Sequence, residues 1–125
     1  MRLPFPREAR WGIRVVTEQR VQVSPTRFRI SDICATLASD PIRPILTQAP
    51  FLCIEILSKD DTVSQLNERI ADYFRMGVRY VWVIDPLMQR AFLYTKGQMR
   101  EVLDGRLRTS DPEIIVPLDE VLKLD

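Results

Sequence analysis

One amphipathic segment lies between two short apolar runs at the centre of the chain, and this arrangement constrains the fold more than any other feature. The run 51–57 (FLCIEIL) is apolar on both faces apart from one residue, a pattern typical of a central strand covered on both sides. Residues 62–76 place their apolar side chains on one helix face, with a Thr-x-x-Gln capping box at the start and a glycine directly after the end. The run 79–85 (RYVWVID) predicts a second buried strand.

Shorter strands are predicted on both sides of this central unit. They lie at 19–23, 28–37, 91–95, 99–102 and 107–109. The Asp104-Gly105 pair predicts a hairpin turn between the last two strands, whereas the three prolines within residues 38–50 predict a connecting loop. Residues 117–122 predict a short terminal helix or turn. The sequence therefore predicts an α/β domain built on a mixed β-sheet, with one main helix and a carboxy-terminal β-meander.

Length and composition indicate one globular unit. The chain has 125 residues, close to the roughly 150 residues typical of a single domain. Its 46% apolar and 28% charged residues are near the averages of soluble globular domains. No apolar stretch approaches the roughly 20 residues of a membrane span, and the first residues lack the apolar core of a signal peptide. We therefore expect a single cytoplasmic domain over residues 1–125.

The chain contains no histidine and only two cysteines. This composition excludes Ser/His/Asp and Cys/His catalysis, and it excludes zinc sites that need histidine or four thiolates. In a reducing cytosol, Cys34 and Cys53 are predicted to be small, buried apolar residues. Much common enzyme chemistry is therefore excluded before any motif is considered.

Positive charge is concentrated at the amino-terminal end. The net charge is +1, but residues 1–30 carry seven arginines and two glutamates, whereas the other 95 residues carry eleven basic and fifteen acidic side chains. We assign a basic arm to residues 1–12 and expect it to be flexible. Its arginines suit phosphate contacts, but a solvated charged face would look the same, and both interpretations stay open.

Glu55 is the one charged residue in the run 51–57. An ionised carboxylate left unpaired there would cost several kcal/mol, so the residue predicts a basic partner, a shared proton or a metal ion. An antiparallel register that sets Asp32 opposite Glu55 also sets Cys34 opposite Cys53, and it brings the acid Cβ atoms to about 5 Å. A divalent cation such as Mg²⁺ or Mn²⁺ between the carboxylates would relieve their repulsion.

The alternative is a salt bridge. Glu55 could pair with Arg29 or Arg69, with the first acid merely facing water at a strand end. Arg69 lies at the border of the helix's apolar stripe, where it could stabilise charge on a phosphate or simply lay its stem along the core. Glu68 and Asp72 are predicted to point to solvent.

Together these motifs resemble the Uma-type restriction endonuclease family, a bacterial group with the PD-(D/E)xK nuclease-like fold. The resemblance rests on residues 50–61 (PFLCIEILSKDD), 73–78 (YFRMGV) and 79–86 (RYVWVIDP), and it covers roughly residues 11–122. It implies a restriction-endonuclease-like mixed sheet and metal-dependent hydrolysis of phosphodiester bonds in DNA.

The resemblance also implies roles for individual residues. Asp32 and Glu55 take the positions of the two metal-binding acids, and Arg69 takes that of the family's lysine. The other matching positions are Ser58, Glu68, Tyr73, Trp82 and the pair Asp85-Pro86.

Three departures from the family pattern stand out. Ser31 replaces the proline before the first acid, which should be harmless. Arg69 replaces a lysine, and because arginine stays protonated it cannot take up a proton from water. Family members usually carry a further acid in an additional amino-terminal segment, so we expect a chain truncated at that end, in which Glu18 could substitute.

Two functional hypotheses follow, with a third that involves no family relationship. The first is a metal-dependent endonuclease that acts on DNA through Asp32, Glu55 and Arg69. The second is an inactive relative that serves as an interaction or DNA-binding module, and the third is an unrelated α/β domain with a salt-bridged Glu55. Divalent-metal binding separates the first two. The short chain and its apolar strands also suggest a homodimer, and Tyr80 and Trp82 are expected to pack rather than to stack on bases.

Overall fold

The computed structural model describes residues 11–123. They form a seven-stranded sheet, a separate two-stranded sheet, one long helix and one short helix. The strands are β1 (Ile13–Ser24), β2 (Arg27–Leu37), β3 (Ile45–Leu46), β4 (Leu52–Ile56), β5 (Tyr80–Asp85), β6 (Arg90–Thr95), β7 (Gln98–Glu101), β8 (Arg106–Thr109) and β9 (Ile114–Pro117), and the helices are α1 (Val63–Met76) and α2 (Leu118–Val121).

The large sheet is mixed, as the sequence predicts. Its strand order is β3-β1-β2-β4-β5-β6-β7. β4 and β5 are parallel neighbours, and α1 is the crossover between them. β1, β2 and β4 are linked by antiparallel pairing, and β5, β6 and β7 form the predicted meander.

Local sequence signals fix both ends of α1. The side chains and backbones of Thr62 and Gln65 form the predicted capping box, which satisfies two backbone donors that the first turn leaves free. Gly77 ends the helix at φ 112°, a left-handed conformation that strains other residues. The helix buries Ile70 and Tyr73 against the sheet, so the predicted helix is confirmed.

Two cores lie on opposite faces of the large sheet. The α1 face buries both cysteines, as predicted, and this burial raises the pKa of the Cys34 thiol to about 12. The other face is covered by the β8–β9 sheet and α2. Trp82 is fully buried in this second core, which confirms its packing role.

The β1–β2 hairpin changes faces along its length. Near its open end, Ile13 and Val15 pack in the core away from α1, but the side chains of Val21 and Val23 pack in the α1 core. The alternation reverses near Glu18, which has a left-handed φ of 49°. In β1, odd-numbered side chains therefore face away from α1 in the half near the open end and face α1 in the half near the tip.

Some predicted elements are wrong. The loop over residues 38–50 contains β3, a two-residue strand parallel to β1. Asp104-Gly105 does not connect paired strands, because β8 leaves the large sheet and pairs with β9. β9 itself was not predicted, since its apolar run is too short to show a period.

The predicted basic arm, residues 1–12, lies outside the described residues except for its last two. Within residues 11–123, no helix has the length and apolar character to cross a bilayer.

Candidate functional site

Asp32 and Glu55 lie where β2 and β4 separate. The predicted register is confirmed, because Cys34 lies opposite Cys53 and the ladder continues to Ile33 and Ile54. At the next pair of residues, Asp32 and Glu55, hydrogen bonds from backbone to side chain replace the backbone–backbone bonds of the ladder. The Asp32 N–H donates to Oε2 of Glu55 over 3.2 Å, and the Ile56 N–H donates to Oδ2 of Asp32 over 2.8 Å. Each carboxylate thus reaches the backbone of the opposite strand, and the two acids are neighbours.

Glu55 is buried among donors. It is 2% exposed, and its Oε1 accepts a 3.0 Å hydrogen bond from the Tyr73 hydroxyl. Nε of Arg69 lies 3.6 Å from the same oxygen. Burial, with the negative charge of Asp32, raises the pKa of Glu55 to about 7, although the hydrogen bonds from the Asp32 N–H and the Tyr73 hydroxyl and the positive charge of Arg69 oppose the shift. The pKa of Glu55 is therefore well above that of an ordinary carboxyl group.

Arg69 lies between two carboxylates. Its Nη1 donates to Oδ1 of Asp61 over 3.3 Å, while its buried Nε has no hydrogen-bond partner among the described residues. Asp61 is fixed in turn by the Ser58 N–H at 2.9 Å, and this bond lowers the pKa of Asp61. Ser58, which matches the serine of the family resemblance, thus positions Asp61, and Asp61 in turn positions Arg69. Sequence reasoning missed Asp61, whose position directly before the helix cap was its only signal.

Of the two arginines considered as partners for Glu55, only Arg69 approaches it. Arg29 instead binds Asp72, with Nη2 2.8 Å from Oδ2, and Nε of Arg27 lies 3.2 Å from the same oxygen. The prediction that Asp72 points to solvent is wrong, because Asp72 is 3% exposed. Glu68 does lie at the surface as predicted, with its side chain 50% exposed, and from there it contacts both arginines. The reversal of the hairpin turns the arginines towards α1, so two charges of the basic end are neutralised.

A third acid lies at the same level of the sheet. Thr17 pairs with Ile33 and Gln19 pairs with Ser31, so Glu18 lies across from Asp32, on the side away from Glu55. Among residues 11–123, no group of three or more acidic or cysteine side chains is arranged to hold a metal ion. The two neighbouring carboxylates are therefore the groups that could share a proton or bind a cation.

Comparisons with known proteins agree with the fold. A family model, Uma2, described as "Putative restriction endonuclease", matches residues 3–120. The crystal structure of a protein from Anabaena variabilis, described as a putative nuclease belonging to DUF820, is similar with a TM-score of 0.74. It is 21% identical in sequence, and the match covers 93% of this chain and 71% of that one. At this identity the likeness shows the fold alone, and no curated protein matches the chain.

Proposed function

Because the chain belongs to the Uma2 family, described as putative restriction endonucleases, we propose that it is a metal-dependent endonuclease that hydrolyses phosphodiester bonds in DNA. One observation carries the proposal. Asp32 and Glu55 are neighbouring carboxylates at the point where two strands separate, and each is held by a backbone N–H of the opposite strand. Such a pair is costly for stability alone, since burial and mutual repulsion oppose the ionised form of Glu55.

The donor set fits a hard divalent cation. Mg²⁺ keeps several waters and is commonly bound through one or two carboxylates together with substrate phosphates. Asp32 and Glu55 would hold Mg²⁺ or Mn²⁺, which when bound supplies an activated water and stabilises the negative charge that develops on the phosphate. The Tyr73 hydroxyl orients Glu55 and favours its ionised form.

Arg69 would act as a fixed positive charge. Its guanidinium stays protonated and stabilises an anion, but it does not relay a proton. Asp61 and Glu55 hold it beside the acid pair, close to the place where a bound phosphate would be.

Glu18 supports the same location. A non-glycine residue at positive φ costs roughly 1–3 kcal/mol and occurs preferentially at functional sites. Glu18 has a φ of 49° and lies across β1–β2 from Asp32. We include Glu18 in the proposed site as an acid at the same level of the sheet as Asp32, and not as a third metal ligand.

Nicking of supercoiled plasmid tests the proposal. We expect slow nicking that requires metal and stops in EDTA, with Mn²⁺ at least as effective as Mg²⁺ because Mg²⁺ demands near-ideal octahedral geometry. Asp32→Asn and Glu55→Gln should each abolish it, whereas Asp119→Asn, a change to an exposed acid on α2, should not. Equal nicking by the Asp32→Asn/Glu55→Gln protein would indicate a contaminating nuclease and refute the assignment.

A second candidate function is an inactive nuclease-fold protein that binds DNA. The observation that favours it is the arginine at the family's lysine position, with its charge shared between Glu55 and Asp61. This candidate predicts that neither Mg²⁺ nor Mn²⁺ raises the melting temperature, because a ligand stabilises a fold only by binding it. A rise with either ion favours the endonuclease.

A further inference from the structure

The distal half of the β1–β2 hairpin carries an exposed apolar surface that neither core uses. Arg20 lies opposite Ile30 on β2 and opposite Ile45 on β3. Ile30 is 58% exposed and Phe28 is 49% exposed. These four residues, which we call the hairpin patch, line a depression of about 330 Å³ together with Arg29.

The patch belongs to an anchored element. On the opposite side of the hairpin, Arg27 and Arg29 bind the buried Asp72 of α1. These contacts fix the hairpin against the helix that carries Arg69. The patch is therefore a surface of defined shape rather than the side of a loose arm.

The patch also lies close to the acid pair along the strands. Arg20 and Ile30 are two residues beyond the level of Glu18 and Asp32, a separation of about 7 Å at the usual strand rise. The patch lies on the side of the hairpin away from α1, whereas Glu55 lies against Tyr73 and Arg69 on the α1 side. A DNA strand that reached both would therefore pass the end of β4, beyond which the distal half of β2 has no partner strand on that side within residues 11–123.

We propose that the hairpin patch docks unpaired DNA, with one base stacked on Phe28 and a phosphate bound by Arg20. The choice of DNA rests on the proposed function. Arg29 is neutralised by Asp72, whereas Arg20 has no ion pair within residues 11–123. One free cation is far too little to hold a duplex through phosphate contacts, so apolar and stacking contacts must contribute. Stacking on a ring requires an unpaired base.

Charge also argues against a second copy of the chain on this surface. A two-fold symmetric contact places the same patch on both partners. Arg20 lies between Ile30 and Ile45 in the middle of the patch, so it would meet its own counterpart. Juxtaposed like charges oppose such an interface, whereas a phosphate complements it.

Fluorescence anisotropy with labelled oligo(dT) in EDTA tests docking separately from cleavage. We expect the single strand to bind more tightly than a duplex of equal length. Phe28→Ala should weaken binding roughly 5- to 100-fold, and Phe28→Tyr, which keeps the ring, should restore it. Arg20→Ala should weaken binding and reduce the slope of log affinity against log salt by about 0.7. Met99→Ala and Arg106→Ala are matched controls at exposed positions on β7 and β8, and they should bind normally.

The proposal is overturned if the Phe28→Ala and Met99→Ala proteins bind equally well, or if single strand and duplex bind alike. It is also overturned if the free protein sediments as a dimer that Phe28→Ala dissociates, because the occupant is then a second copy. Patch-dependent binding without any plasmid nicking would keep the docking surface and remove the endonuclease. Metal-dependent nicking together with normal DNA binding by the Phe28→Ala protein would support the endonuclease and refute the docking surface.

Discussion

The hydroxyl of Tyr73 donates a 3.0 Å hydrogen bond to Oε1 of Glu55. Tyr73 is fully buried, and burial together with the charge of Glu55 raises the pKa of the phenol. The phenol therefore stays protonated and acts as a permanent donor. This bond favours the carboxylate form of Glu55, whereas burial favours the neutral acid. A buried core residue, Tyr73, thus helps to set the protonation state of Glu55, the candidate metal ligand.

Tyr73→Phe should raise the pKa of Glu55 further, because the ionised form loses a donor. We expect the rise in melting temperature caused by Mn²⁺ to shrink at pH 6.5 and to recover at pH 8.5, where Glu55 is ionised anyway. Tyr94→Phe, a change to a partly buried tyrosine of the same core, serves as the control. A deficit in the Mn²⁺ response that is equal at both pH values would show that the hydroxyl acts only through packing.

Glu55 should make the metal-free protein less stable as the pH rises. Its pKa is raised from 4.5 to about 7 in the fold, so between these values the folded state binds more protons than the unfolded chain. Its favourable contribution is complete below about pH 4.5 and is lost as the pH rises through 7, by roughly 3 kcal/mol. Glu55→Gln should remove this loss, which urea denaturation in EDTA at pH 5 and pH 8 measures. Identical pH dependence in the two proteins would mean that Glu55 ionises normally.

Arg69→Lys should raise the rate of plasmid nicking by about tenfold or more, since a lysine can take part in the proton transfers that arginine cannot. The shorter ammonium group also cannot bridge Glu55 and Asp61 as the guanidinium does. Arg75→Lys is the matched control, because Arg75 is a largely exposed arginine on the same helix. If neither the natural chain nor the Arg69→Lys protein nicks DNA, the inactive DNA-binding candidate is favoured.

Asp72→Asn should destabilise the fold by about 3 kcal/mol, because it removes the buried one of the two carboxylates that Arg27 and Arg29 contact. Glu68→Gln is a sharp comparison, since Glu68 contacts the same two arginines from the same helix but its side chain is 50% exposed. Exposed ion pairs contribute little, so this second change should leave the denaturation midpoint nearly unchanged. Equal losses in the two proteins would show that burial does not set the strength of these contacts.

The sequence predicts those parts of the fold that depend on short-range patterns. α1 follows from its apolar spacing and its caps, and β4 and β5 follow from continuous apolar runs. Even the pairing of Cys34 with Cys53 could be predicted, because a strand with a single misplaced charge limits the register. Glu55 drew attention to the site for the same reason, since a carboxylate does not belong in such a strand.

The contacts that surround the acid pair could not be predicted in this way. The apolar spacing of α1 alone places Asp72 on the solvent side of the helix. Asp72 is buried only because the hairpin reverses and brings Arg27 and Arg29 over it. Asp61 depends likewise on Arg69, eight residues along the chain. These positions are decided by the packing of distant segments, which local periodicity does not encode.

The reversal near Glu18 makes the β1–β2 hairpin modular. Each strand follows one inside–outside pattern before that level and the opposite pattern after it. Adding two residues to each strand of the distal half would keep arginines on the α1 side and apolar residues on the outer side, and it would leave the level of Asp32 untouched. Adding one residue would exchange the two sides. The tip of the hairpin can therefore change in length by two residues per strand without altering the half that carries Asp32, much as variable loops differ in length on a rigid scaffold.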